Sequence, residues 1–172
     1  MLKIAGVILC IAGSVGYGIM KISGWKQAIK ELEEWILLFE NVKSHIQYRR
    51  DIISEVFCRM DKELYGIGGK YVAAVGQGMQ ADRTKNLMQE WEERMFQWKQ
   101  TSFLPADIKN SIMAFPEYMG EQDCEQQIHR LDFYLQKLHT EKEKLEKELS
   151  GKRKPVMAIS MVGGITVSVL LI

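Results

Sequence analysis

An all-α fold is expected from this sequence: an antiparallel helical bundle flanked by two transmembrane helices. Three observations predict it. Only three prolines interrupt 172 residues rich in Glu, Lys, Gln, Leu and Met, the side chains that favour helix. Two long stretches carry apolar residues at alternating steps of three and four. Both ends of the chain are free of charge over lengths that suit a bilayer.

The first element is the stretch "IAGVILCIAGSVGYGIM", residues 4–20, bracketed by Lys3 and Lys21. Residues 1–21 are expected to form an N-terminal transmembrane helix. A cleaved signal peptide is the rival reading, with Lys3 as its basic region and Gly16-Tyr17-Gly18 as a faint cleavage site. The last element, residues 155–172, follows Lys152, Arg153 and Lys154 and has no charge in eighteen residues. As a helix it would reach about 27 Å, close to the thickness of hydrocarbon. Cytoplasmic flanks carry the excess of Lys and Arg. Lys21, Lys26 and Lys30 follow the first span, and Lys152, Arg153 and Lys154 precede the second. Both therefore place residues 22–154 in the cytoplasm. Ala12 with Gly16 and Ser160 with Gly164 are small pairs four apart, which let helices approach closely.

Between the spans lie about 130 residues, enough for one modest core. The first long segment runs from Trp25 to Gly66. Its three-four positions are Ile29, Leu32, Ile36, Phe39, Lys43, Ile46, Arg50, Ile53, Phe57, Met60 and Leu64, apolar at nine of eleven. That is a heptad seam on one helix of roughly forty residues, widened by Trp35, Val42 and Val56. Gly66, Gly68 and Gly69 are expected to break it. "KYVAAVGQGM" reads as one apolar helix ending near Gly76 and Gly78. Asp82 is placed to cap a further helix, on which Leu87, Trp91, Met95 and Trp98 share a face. Pro105 suits the first turn of the next helix, and Pro116 and Gly120 close it. In the final cytoplasmic helix Asp123 and Gln126 suit a capping box. Ile128, Leu131, Leu135, Leu138, Lys142, Leu145 and Leu149 form a second seam with one lysine inside it. The tail "TEKEKLEKELSGKRK" carries Glu–Lys pairs at helical spacing and reads as a solvated stalk.

Little chemistry is legible. Net charge is +1 with both signs mixed, so no basic field for nucleic acid is visible. Cys10, Cys58 and Cys124 are too few and too far apart for a disulfide framework. His45, His129 and His139 match no zinc spacing and read as surface or boundary residues. A phosphate loop fails because Leu64 stands where its first glycine is needed and Tyr71 follows Gly69-Lys70. The glycines read better as helix ends. Trp25 suits a membrane interface; Trp35, Trp91 and Trp98 suit a core. No catalytic residue, cofactor or metal is expected.

The whole pattern resembles the stage III sporulation protein AB family of endospore-forming bacteria. The resemblance rests on "MLKIAGVILC", "HIQYRRDIISEVF", "MGEQDCEQQIHRLDFYLQKL" and the terminal "KPVMAISMVGGITVSVLLI". A family element of the type Leu-Gly-x-x-Asp-x-x-x-Gln falls on Met119, Gly120, Asp123 and Gln127. Where the family has Glu-Ile-x-Tyr, this chain has His45-Ile46-Gln47-Tyr48. The resemblance implies a bundle similar to the cytoplasmic domains of the type II secretion F protein. It also implies a non-enzymatic scaffold in the sporulation channel, in the mother-cell membrane around the forespore. Its partners would be the ATPase named stage III sporulation protein AA and other channel subunits, with homo-oligomers open. Tyr48, Gly120, Asp123 and Gln127 are then structural or docking residues, and Lys21, Lys152, Arg153 and Lys154 flank the membrane. A two-span sensor or regulator with a helical signalling domain is the alternative.

Overall fold

The structure is a computed structural model, and it describes residues 2–49, 52–60, 62–82, 84–119 and 124–171, with most of 2–15 and 153–171 as backbone alone. All regular structure among the described residues is helical: α1 (Leu2–Arg49), α2 (Ile53–Cys58), α3 (Lys62–Ala81), α4 (Leu87–Thr101), α5 (Ala106–Met113), a 3-10 turn (Phe115–Tyr118) and α6 (Cys124–Leu171). The chain divides into two compact units, one of residues 28–143 and one joining 1–27 to 144–172.

Within residues 28–143 the core is aromatic. Trp35, Phe39, Phe57, Trp91, Trp98, Phe115 and Tyr134 are all almost fully buried. Phe115, on the 3-10 turn, stacks on Phe39 at 4.4 Å between ring centroids. It also lies 5.1 Å from Trp91 and 5.6 Å from Tyr134. Trp35 meets Trp98 edge-on at 5.0 Å. The three tryptophans assigned to the core by their spacing are therefore in it. Rings at these separations add to the stabilisation that burial alone supplies.

α1 and α6 run antiparallel through this unit. Glu33 pairs with Lys142 at 2.7 Å, Glu40 with His139 at 3.3 Å, and Lys43 with Asp132, so rising numbers on one helix meet falling numbers on the other. Lys43 and Lys142 are the two lysines that interrupt the apolar seams. Each meets an acid across the helix pair. Such half-exposed ion pairs contribute at most about 1 kcal/mol each and serve chiefly to set register.

Four sequence expectations need correction. The forty-residue helix ends at Arg49; after an extended Ile52 the seam continues on the separate helix α2. The cap of α4 is Asn86 and not Asp82. The Asn86 side chain accepts from the Gln89 N–H, and the Gln89 side chain accepts in return from the Asn86 N–H, a complete capping box. Asp82 instead accepts from Thr84, through its hydroxyl and its N–H, which lowers the pKa of that carboxyl. Pro105 precedes α5 as its cap residue, one position earlier than the first turn.

The glycines are corrected most. Gly66 does mark a break, with φ at 57° inside α3, a conformation that side chains disfavour. Its missing Cβ is also where the Glu34 carboxylate lies. Gly76 and Gly78 do not end a helix, since α3 runs on to Ala81. A Cβ on Gly76 would meet the Cys58 nitrogen at 2.7 Å and the Ser54 oxygen at 2.8 Å. The glycine is what lets α2 lie backbone to backbone on α3.

Two buried carboxylates tie elements together. Glu31, on α1, accepts from the Trp98 indole N–H at 2.9 Å and from the Phe103 N–H at 3.0 Å. That clasps the end of α4 and the following turn to α1. Glu90 is 2% exposed and lies 3.4 Å from Lys85 and 3.3 Å from Arg94. A buried carboxylate without such partners would cost several kcal/mol.

Tyr134 is an exception to this pairing, because its buried hydroxyl has no partner among the described residues. Burial, with Tyr118 beside it, pushes this hydroxyl well above its ordinary value of 10.0. The folded protein thus keeps a proton that the unfolded chain has already lost. The linked stability is complete below about pH 10 and declines as pH rises beyond it. Tyr134→Phe should flatten that alkaline decline. Near neutral pH it should be at least as stable as the parent, since it removes an unsatisfied group. Urea unfolding of both proteins across the alkaline range measures the difference, and parallel declines would refute the assignment.

In the unit of residues 1–27 and 144–172, α1 and α6 continue without interruption past Lys21 and through Pro155. The Lys21 ammonium lies 5.7 Å from the Tyr17 ring centre and that of Lys152 lies 5.9 Å from the Trp25 ring centre. Among the described residues no helix is long and apolar enough to cross a membrane. Most side chains of both expected spans lie outside what is described.

Candidate partner-docking surface

The exposed side of the α1–α6 pair holds a cleft of about 480 Å³ lined by Glu40, Lys43, Ser44 and Gln47 from α1 and by Asp132, Leu135, Gln136 and His139 from α6. The helical period places these residues together: 40, 43, 44 and 47 share one stripe of α1, and 132, 135, 136 and 139 share one stripe of α6. The apolar core reaches its edge here, with Leu135 only 6% exposed beneath a polar rim. The rim is acid, base, amide and hydroxyl in turn, so it presents donors and acceptors without a dominant charge.

Tyr48 is not among the residues that line this cleft; it follows Gln47 directly on α1 and lies one turn beyond Ser44. It is 78% exposed, so its ring is not a core element. Large exposed rings of this kind are typical anchors of protein interfaces. Of the other expected motif residues, Gln127 is buried, and its amide reaches the Met119 carbonyl oxygen at 3.5 Å and the Met119 sulfur at 3.8 Å. These contacts link the first turn of α6 to Met119, the residue after the 3-10 turn. Gly120 and Asp123 lie outside the described residues, as does the Asp123 cap expected for α6. Lys21 and Lys152 sit in the other unit, and Lys152 also pairs with Glu148 at 2.7 Å. The side chains of Arg153 and Lys154 are outside the description.

The residues expected from the two family elements differ in setting: Tyr48 faces solvent and Gln127 faces the interior. Burial and a nearby Glu55 raise the Cys58 thiol, which makes it a poor nucleophile. No group of His, Cys, Asp or Glu side chains suited to a metal converges among the described residues. As a cleft, these residues were not legible in the sequence. Their clearest signal was Lys43, a charge where the seam wanted an apolar side chain.

What the geometry defines is an all-helical bundle with an aromatic interior and a polar inter-helical cleft. The chain belongs to the stage III sporulation protein AB family, whose model matches residues 3–172. Among solved structures it is similar to one titled stage III sporulation protein AB (SpoIIIAB), with a TM-score of 0.65 and 14% identity, over 72% of this chain and 97% of that one. At that identity the likeness concerns the fold. No curated protein matches the chain.

Proposed function

We propose that the protein is a non-enzymatic scaffold of the sporulation channel, anchored in the mother-cell membrane by residues 1–21 and 155–172, with residues 22–154 in the cytoplasm. Its task is to dock the ATPase stage III sporulation protein AA, together with other membrane subunits, in the manner of the type II secretion F protein. The observation that carries this reading is Tyr48. A family-motif residue that is 78% exposed, one helical turn beyond the cleft residue Ser44, has a partner to meet rather than a core to fill. Family membership supports the sporulation role, and the charge-free ends flanked by Lys21, Lys152, Arg153 and Lys154 support the anchoring.

Affinity capture of the full-length protein from solubilised membranes of sporulating cells tests it. The ATPase should co-purify with the parent, and Tyr48→Ala should lower its recovery at least about tenfold, the loss expected when an interface anchor is truncated. Helical content and unfolding of the variant should be unchanged. Equal recovery with Tyr48→Ala would remove the Tyr48 face of α1 as the docking site. A co-purifying kinase or transcription regulator in place of the ATPase would favour a two-span sensor.

A further inference from the structure

We propose that the unit of residues 1–27 and 144–172 carries a binding surface for anionic phospholipid headgroups, organised by the pairs Lys21–Tyr17 and Lys152–Trp25. The inference rests on the membrane reading above and adds a chemical preference to it.

The first observation is a separation of charge that the net value of +1 conceals. This unit holds eight Lys and Arg residues against two acids, Glu146 and Glu148, whereas residues 28–143 hold fifteen against twenty. From Met1 to Lys30 there is no acid at all, and none follows Glu148. A surplus of this size has few internal counter-charges to neutralise it.

The second observation is how the described cations are held. Tyr17, Lys21 and Trp25 follow one another at steps of four on α1 and so share a face. Tyr17 is 58% exposed, and the Lys21 ammonium stands over its ring at 5.7 Å. The Lys152 ammonium stands over Trp25 at 5.9 Å. A ring face attracts a cation without neutralising it. The Lys21 ammonium is therefore positioned while still able to give N–H donors to phosphate oxygens, whereas that of Lys152 also donates to Glu148 at 2.7 Å and has fewer donors left to share.

Beside these pairs, Ile19 and Met20 are exposed by 55% and 68%. Cations, amphipathic rings and bare aliphatic side chains in one short stretch match the layers of a bilayer edge, where phosphate, glycerol and acyl chain succeed each other. A nucleic acid would have no use for the aliphatic part. Juxtamembrane lysines gain affinity from anionic lipid, and the gain weakens with salt.

Trp25 is the natural probe. The other tryptophans, Trp35, Trp91 and Trp98, are at most 1% exposed, so lipid-borne quenchers reach Trp25 alone. The full-length protein is reconstituted in phosphatidylcholine vesicles containing either brominated phosphatidylglycerol or brominated phosphatidylcholine, with bromines near the headgroup end. Brominated phosphatidylglycerol should quench at lower mole fraction, with a relative binding constant of about three to ten, given several cations near the surface. The ratio should approach one in high salt and in the Lys21→Gln/Lys152→Gln protein, whose helical content is checked in parallel. Equal quenching by both lipids in the parent overturns the headgroup preference and leaves the anchoring intact. Quenching by neither lipid overturns the anchoring as well.

Discussion

Phe115→Ala should destabilise the protein by about 3–5 kcal/mol, the range for truncating a fully buried phenylalanine. The reason lies in where this ring sits. It is carried by a four-residue 3-10 turn, which has little stability of its own. Yet its ring lies 4.4 Å from Phe39 on α1, 5.1 Å from Trp91 on α4, 6.3 Å from Phe57 on α2 and 5.6 Å from Tyr134 on α6. Removing it opens a cavity bounded by four large rings, none of which can collapse inward without giving up contacts elsewhere. Domains of this size are stable by only about 5–15 kcal/mol, so the loss would consume a large fraction. Urea unfolding of the full chain in detergent, followed by far-ultraviolet circular dichroism and tryptophan fluorescence, measures it. Phe115→Leu should lose less, about 1–2 kcal/mol, because it keeps most of the volume. A Phe115→Ala protein within about 1 kcal/mol of the parent would show that the turn is not a keystone of the core.

Gly76→Ala should also destabilise, by about 1–3 kcal/mol, although alanine is ordinarily the better helix residue by roughly 0.5–1 kcal/mol. The sign reversal is the diagnostic. At Gly76 the added carbon would stand 2.7 Å from the Cys58 backbone nitrogen, 2.8 Å from the Ser54 backbone oxygen and 2.8 Å from the Phe57 Cβ. Backbone cannot swing aside, so α2 must move off α3. Gly24 supplies the opposite control: it is helical with nothing within 4 Å of an added Cβ, and Gly24→Ala should stabilise. Gly78→Ala falls between them, since its obstacle is the end of the Glu90 side chain, which can rotate but must then weaken its ion pairs with Lys85 and Arg94. The same unfolding measurements rank the three. An order with Gly76→Ala as stable as the parent would mean that the α2–α3 contact is loose.

These expectations also show where sequence and structure divide. The placement of Trp35, Trp91 and Trp98 in the core was legible because helical periodicity is local: a stripe can be read from neighbours three and four positions away. The same holds for the two seams on α1 and α6. Partners of the polar exceptions were not legible. Glu31 meets Trp98 and Phe103 from 67 and 72 residues away, and Lys43 meets Asp132 from 89. Nothing in a heptad count says which acid will answer a lysine inside the seam. Asp82 was expected as the cap and Asn86 is the cap found; both are good capping residues, and only the backbone decides which one precedes the first helical turn.

By itself, then, the amino-acid order determined that this protein is helical, that its tryptophans other than Trp25 are interior, that its ends are apolar and flanked by cations, and which family it resembles. The first three are sums over near neighbours along the chain; the resemblance rests on quoted motifs and their order over nearly the full length. Tertiary structure alone decided that Gly76 and Gly78 are contact points rather than helix ends, that Gln127 is fastened inside while Tyr48 faces out, and that a polar cleft opens between α1 and α6. Those outcomes depend on which surfaces meet across long separations, and packing settles that through volume and pairing that no local pattern encodes.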